Sequence, residues 1–207
     1  MSAIPIFPSG LVKQYQTPKT FINDIDFSEF VFQKSHTLSA NKLRSEGHTN
    51  ILNNNKLIEV KKFIEKSACD FLDNEMQIEY EEFFITDSWI NICEKGGFQG
   101  PHNHSNSIIS GTLYLKSVKE HPPLFFKRQR VEDGPYISMT EHYKKGNPHT
   151  ASDLCFPCTQ DSMIIFNSHL YHGHDPSPID AERIGLSWNG LVNFKEGKSY
   201  RIRFEKV

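Results

Sequence analysis

Residues 100–115 read GPHNHSNSIISGTLYL, and two features of this stretch decide the fold. It opens on two histidines separated by one residue, His102 and His104, and runs on into a segment where polar and apolar side chains alternate. Ser110, Thr112 and Tyr114 fall on one face of an extended strand, while Ile109, Leu113 and Leu115 fall on the other. Such a strand packs one face on a core and presents hydroxyls to a cavity on the other. If the histidine pair is also extended, both imidazoles share a face and can reach one metal together. Imidazole is a neutral ligand suited to iron, copper, nickel and zinc.

A second cluster lies further along, in DSMIIFNSHLYHGH (161–174), where an apolar strand leads into His169, His172 and His174. His172 is the preferred ligand there, because it follows the strand by a short turn and precedes Asp175-Pro176, where the chain must leave. Arg183, eleven residues past His172, begins ERIGLSWNGLVNF (182–194). In that strand Arg183, Gly185, Ser187 and Asn189 share one face, opposite Ile184, Leu186 and Trp188. An arginine on an inward polar face calls for an anion, unless it merely pairs with Asp180 or Glu182 at the surface. The remaining histidines, His36, His48, His121, His142 and His149, show no partner pattern.

The composition narrows the function classes. Lys plus Arg is 23 and Asp plus Glu is 25 in 207 residues, a net charge of −2 that gives no nucleic-acid or membrane-surface signal. No apolar run is long enough for a spanning helix, and MSAIPIFPSGLVK lacks the features of a secretory signal, so a cytoplasmic protein is expected. At 37% hydrophobic residues the chain can build a core, and its length suits one domain. Cys69, Cys93, Cys155 and Cys158 do not have the spacing of a zinc ribbon. The C-x-x-C of Cys155 and Cys158 is followed by a strand-like rather than a helical segment, so buried or partly buried thiols are expected there.

The rest of the chain divides into two regions. Leu57, Val60, Ile64, Ala68 and Phe71 recur at steps of three and four, which predicts a helix over 56–75. A weaker helix is expected within 20–34, and a first strand region over 4–15. From about residue 78 short runs rich in Ile, Phe, Tyr and Leu follow, among them EYEEFFITDSWINIC, PPLFFKRQ and SYRIRF (199–204). Residues 129–153 read as a long loop, of the kind that can close over a site. The expectation is one domain over 1–207, with an N-terminal strand and helices over 1–77 and a β core over 78–207. Strand runs at this spacing suggest a sandwich or jelly roll.

The ordered set Trp89-x-Asn91, Gly100-Pro101-His102-Asn103-His104, Ser110-Gly111-x-x-Tyr114-Leu115, an apolar strand leading to His172, and then Arg183 resembles a known family. It is similar to the 2-oxoglutarate- and iron(II)-dependent oxygenases of the prolyl-hydroxylase-like group, and most similar to a set of small bacterial and phage members. The resemblance spans about residues 86–194, and the opening IPIFPS (4–9) is similar to how those proteins begin. It implies a mainly β fold, a double-stranded β-helix (jelly roll) with supporting N-terminal helices. It implies iron(II) on His102 and His172, and 2-oxoglutarate whose far carboxylate pairs with Arg183, assisted by Tyr114. Asn91 would contact the near carboxylate or the substrate, and Ser187 joins the cofactor wall. Trp89, Ser110, Thr112, His174 and Asn189 would line the substrate side or back the ligands. Dioxygen is then the second cosubstrate, and the primary substrate is left open.

One position departs from the family. Its usual pattern is His-x-Asp or His-x-Glu, whereas this chain has His104 at the carboxylate position. Either His104 is the second ligand of a three-histidine face, or it lies beside the metal and water fills the position. An imidazole in place of a carboxylate raises the charge of the site by one, which changes redox potential and ligand exchange. Three functions therefore stand side by side. The first is a hydroxylase that decarboxylates 2-oxoglutarate. The second is a cupin-like three-histidine dioxygenase that binds its organic substrate directly. The third is a non-enzymatic metal-binding jelly-roll module.

Overall fold

The computed structural model describes residues 10–34, 40–45, 50–128, 151–195 and 203–204, with side chains described except at Asp24 and over 40–45. Among the described residues ten strands form one curled antiparallel sheet. They are β1 (Val12–Gln16), β2 (Gln33–Lys34), β3 (Ala40–Ser45), β4 (Tyr80–His102), β5 (Ile109–Lys116), β6 (Leu124–Lys127), β7 (Asp153–Phe156), β8 (Ser162–Asn167), β9 (Tyr171–His174) and β10 (Arg183–Phe194). The order is β1-β8-β5-β10-β4-β9-β6-β7, with β3 also on β4 and β2 on β3. This is the double-stranded β-helix, or jelly roll.

The curl is made by β4. Its first part pairs with β10 from Tyr80 to Cys93, and its end pairs with β9 at Gln99 and His102. Between them stands Gly96 at φ 73°, a left-handed conformation that glycine adopts without a Cβ penalty. One strand thus leaves one half of the sheet and enters the facing half.

Alternation along the strands sorts the side chains into two layers. Ile90 and Ile92 of β4, Leu113 and Leu115 of β5, Met163 and Ile165 of β8, and Leu186 and Trp188 of β10 all join one buried cluster. Helix α1 (Ile58–Asp70) covers that cluster with Val60, Ile64 and Ala68. Each fully buried Val or Ile contributes roughly 1.5–3 kcal/mol. The helix is led in by a turn in which the Asn54 side chain accepts from Lys56 N at 2.9 Å. It ends in a wider turn, Phe71–Met76, closed by Gln77 at φ 52°. Lys13 Nζ and the Tyr15 hydroxyl, both on β1, reach Asp70 at 2.7 and 2.8 Å and tie strand to helix. The alternate residues of the same strands turn inward, and Tyr114, Ile164 and Phe166 join Leu124, Phe126 and Cys158 between the two halves.

Two expectations change, and others lie partly outside the described residues. Residues 20–34 hold two short 3-10 turns, Ile22–Asp24 and Phe27–Glu29, and then β2, with no α-helix. The apolar spacing there is irregular, and Asp26 turns back to accept from Ser28 N at 3.0 Å. Buried Phe21 and Ile25 still plug the helix-side core. Of SYRIRF only Arg203 and Phe204 are described, and neither is in a strand. Cys155, expected to be buried or partly buried, is exposed, because it lies on β7, an edge strand on β6. The expected strand over 4–15 begins at Val12 within the described residues, and residues 129–150 of the expected loop lie outside them. No helix among the described residues is long and apolar enough to cross a membrane.

Gly111 tests the packing of the helix-side layer. A Cβ placed there would lie 2.6 Å from the ring of Trp188, which is fully buried. Gly111→Val is expected to destabilise the fold by about 1–3 kcal/mol through overpacking. Urea unfolding should show a lower midpoint at an unchanged m value.

Candidate metal centre and its cavity

His102 and His172 are direct partners across the β4–β9 ladder. Residues opposite each other on one face have Cβ atoms about 5 Å apart, so the two imidazoles rise side by side. Their ring centroids are 4.3 Å apart. Each uses Nδ1 in the same way: His102 bonds the Gly100 carbonyl at 3.0 Å and His172 the Leu170 carbonyl at 2.9 Å. A carbonyl only accepts, so Nδ1 carries the proton and Nε2 keeps its lone pair. That is the tautomer a metal requires, held by the backbone bond that metal-bound histidines commonly make.

His104 arrives differently. The strand ends at His102, and His104 lies in the following loop, so the expected same-face geometry does not operate. Its backbone N–H instead donates to the Ser168 carbonyl at 3.0 Å, which swings the ring back over the pair. His104 Nε2 then stands 3.2 Å from His172 Nε2. Two nitrogens bound at right angles to one ion, each about 2.0–2.1 Å from it, are about 2.9 Å apart. The ligand atoms of all three histidines fall within 4.8 Å of one another. This donor set therefore fits a divalent transition metal bound on one face, with the other face open to the cavity.

Burial keeps the site neutral. His172 is held well below the usual histidine range by burial and then by His102, and His102 is lowered by burial. Phe166 packs on His172 with centroids 4.4 Å apart, and Trp89 lies 6.0 Å from His104. Gly173, between His172 and His174, has no room for a side chain, since a Cβ would meet the Gln99 carbonyl oxygen at 2.3 Å.

The histidines open into a cavity of about 730 Å³. The strand register lays out its floor as rungs. Cys93 lies opposite Arg183, and across β4, β10 and β5 run Asn91, Gly185 and Tyr114, then Trp89, Ser187 and Thr112, then Asp87, Asn189 and Ser110. Arg183 is buried, and its Nη1 donates to the Pro122 carbonyl at 3.0 Å and to Cys158 Sγ at 3.6 Å. Among the described residues no carboxylate lies within ion-pair range of this guanidinium; Asp180 pairs with Lys95 instead. A buried cation without an anion is costly, so the cavity asks for one. His174 sits close by, lowered to about 3 by burial and then by Arg183, and is therefore neutral. The Tyr114 hydroxyl is buried and pushed up by burial, which keeps it protonated.

Most residues singled out from sequence meet around this one cavity. His102, His104, His172, Arg183, Tyr114, Asn91, Ser187, Trp89, Thr112, His174 and Asn189 all line it. Ser110 lies behind, donating to Asn189 Oδ1 at 2.7 Å. His169 is exposed. Pro122 and Asp87 escaped notice because nothing local marks them, and Cys158, expected as a buried thiol, is one, set against Arg183. His121, read as ordinary, is buried and accepts from Val118 N at 3.0 Å while its Nε2 bonds the Ala181 carbonyl at 2.9 Å. It staples the segment carrying Pro122 to the approach of β10.

Residues 87–189 match the family profile described as "Putative 2OG-Fe(II) oxygenase". The chain belongs to the 2OG-Fe(II) oxygenases. Solved structures agree on the fold. HygX from Streptomyces hygroscopicus, with nickel, 2-oxoglutarate and hygromycin B bound, superposes with a TM-score of 0.60 at 8% identity, covering 89% of this chain and 83% of that one. A prolyl hydroxylase from Trichoplax adhaerens, in complex with a hypoxia inducible factor peptide fragment, gives 0.56 at 10% identity, covering 87% and 82%. A Pseudomonas putida prolyl-4-hydroxylase gives 0.54 at 12% identity, covering 86% and 91%. No curated protein matches the sequence.

Gly173→Ala should force β9 away from β4 and separate His172 from His102. Nickel titration is expected to show an affinity loss of roughly 10–100-fold, as for other changes that misplace a ligand's support. The rise in melting temperature caused by metal should shrink with it.

Proposed function

We propose that this oxygenase couples oxidative decarboxylation of 2-oxoglutarate to hydroxylation of a further substrate. The observation that carries the reading is buried Arg183, unmatched by an anion among the described residues, in the same cavity as three converging imidazoles. His102, His104 and His172 would hold iron(II), their Nε2 lone pairs set by the Nδ1 bonds of His102 and His172. Arg183 would take the far carboxylate of 2-oxoglutarate, with the Tyr114 hydroxyl donating beside it and Ser187 and Asn91 along its length. Pro122 and Cys158 occupy Nη1 and so aim the remaining N–H groups of Arg183. Phe166 and Trp89 keep water from the ligand rings. When bound, iron(II) and 2-oxoglutarate activate dioxygen, and the cosubstrate leaves as succinate and carbon dioxide.

His104 favours a second reading, since a carboxylate is the usual partner at that position. A three-histidine dioxygenase would bind its organic substrate directly on the metal, and Arg183 would hold that substrate's carboxylate. Adding 2-oxoglutarate to the anaerobic iron(II) protein separates the two. A visible charge-transfer band supports the first reading, and its absence supports the second.

Arg183→Met removes the guanidinium at similar volume. Succinate formation should be lost, and 2-oxoglutarate affinity should fall roughly thirtyfold or more, the cost of losing a hydrogen-bonded charge pair. Bound iron should stay near normal. The melting temperature without 2-oxoglutarate should hold or rise, because an unpaired buried charge has been removed.

A further inference from the structure

Arg183 is the first residue of β10, and strand ends are where a ladder opens most readily. On one side it is paired with Cys93 of β4. On the other, the ladder to β5 starts only at Ile184, opposite Lys116, and a register shift follows before Gly185 meets Tyr114. A guanidinium that must meet an anion at a fixed place needs firmer support than this ladder gives.

His121 supplies it. The ring is buried, and its Nδ1 accepts from Val118 N at 3.0 Å with the Ser117 hydroxyl 3.1 Å away. A backbone N–H only donates, so Nδ1 is bare and Nε2 carries the proton. Nε2 then donates at 2.9 Å to the carbonyl of Ala181, two residues before Arg183. The next residue acts on the other end of the arginine. The Pro122 carbonyl accepts from Arg183 Nη1 at 3.0 Å and from Cys158 Sγ at 3.4 Å. The run His121-Pro122-Pro123 is stiff, since each proline fixes its own φ and restricts the residue before it. It leads straight into β6, whose Phe126 is the ladder partner of His172. One short segment therefore holds the backbone before Arg183, the guanidinium itself and, through β6, the strand that carries His172.

We propose that His121 is the positioning residue of the anion site: its ring holds Ala181 and its chain neighbour holds Nη1, so it fixes where the Arg183 guanidinium stands and thereby sets the affinity for the far carboxylate of 2-oxoglutarate. The identity of that carboxylate rests on the oxygenase reading above; the clamp on Arg183 does not.

Two substitutions divide the ring's two bonds. In His121→Asn the amide oxygen takes the place of Nδ1 and keeps the Val118 bond, but the side chain is too short for Ala181. In His121→Gln the amide nitrogen takes the place of Nε2 and keeps the Ala181 bond instead. The nickel-loaded full chain is titrated with 2-oxoglutarate by calorimetry. His121→Asn should raise Kd about tenfold at unchanged stoichiometry, the upper end of what one net hydrogen bond is worth, and His121→Gln should stay within about threefold. A histidine that merely stabilises the fold would lower the number of competent sites and leave Kd alone. The Arg183 Nε–H signal, identified by its loss in Arg183→Met, is followed in nitrogen-15 NMR spectra without 2-oxoglutarate. It should be sharp and slow to exchange in the unaltered protein and in His121→Gln, and broadened in His121→Asn. A mobile guanidinium in the unaltered protein, unchanged 2-oxoglutarate affinity in His121→Asn, a loss confined to stoichiometry, or His121→Gln as weak as His121→Asn overturns the proposal. Tight binding by both the unaltered protein and His121→Asn does so while leaving the oxygenase reading standing. If the unaltered protein does not bind 2-oxoglutarate, that reading falls and the Arg183 signal decides: order lost in His121→Asn and kept in His121→Gln upholds the clamp, and equal order in all three overturns it.

Discussion

The pairing of His102 with His172 across the β4–β9 ladder is the constraint on which the site depends. It brings together residues far apart in sequence, and it works only because Gly173 lets the two backbones approach. Everything else about the centre follows from that contact. The carbonyls of Gly100 and Leu170, each two residues before its histidine, set both ring tautomers. Ser168, at the turn between β8 and β9, then catches the loop that carries His104. The donor face is thus built largely from backbone hydrogen bonds, and its geometry is as stiff as the sheet.

Strand alternation explains how much could be read in advance. Ser110, Thr112 and Tyr114 on one side and Arg183, Ser187 and Asn189 on another pointed to a polar inner face, and the rungs bear that out. The periodicity over 56–75 marked a helix that spans Ile58–Asp70 and continues as a wider turn. Failures came where position depends on a distant partner. His104 looks like a strand residue beside His102, but what fixes it is Ser168. Phe21 and Ile25 have the polarity of a helix face, yet they serve as plugs on short turns. Asp87, Pro122 and His121 carry no local signature, because their meaning comes from the register of β4 on β10 and from one loop stapled to another.

Three imidazoles would bring no negative charge to a bound metal, unlike a site with one carboxylate. What negative charge the cavity has is displaced along the floor to Asp87, while the positive charge of Arg183 sits deep, beside neutral His174 and two buried thiols.

That arrangement also acts as a ruler. Asp87, Trp89, Asn91 and Cys93 are successive inward residues of β4, and His102 closes the same uninterrupted strand after its Gly96 corner. The reach from Arg183 to Asp87 is consequently a count of residues in one piece of chain. Loop changes leave it alone, whereas each two-residue insertion in β4 and its partner would lengthen it by about 7 Å. The span of the cavity floor is therefore set by strand length and not by loops.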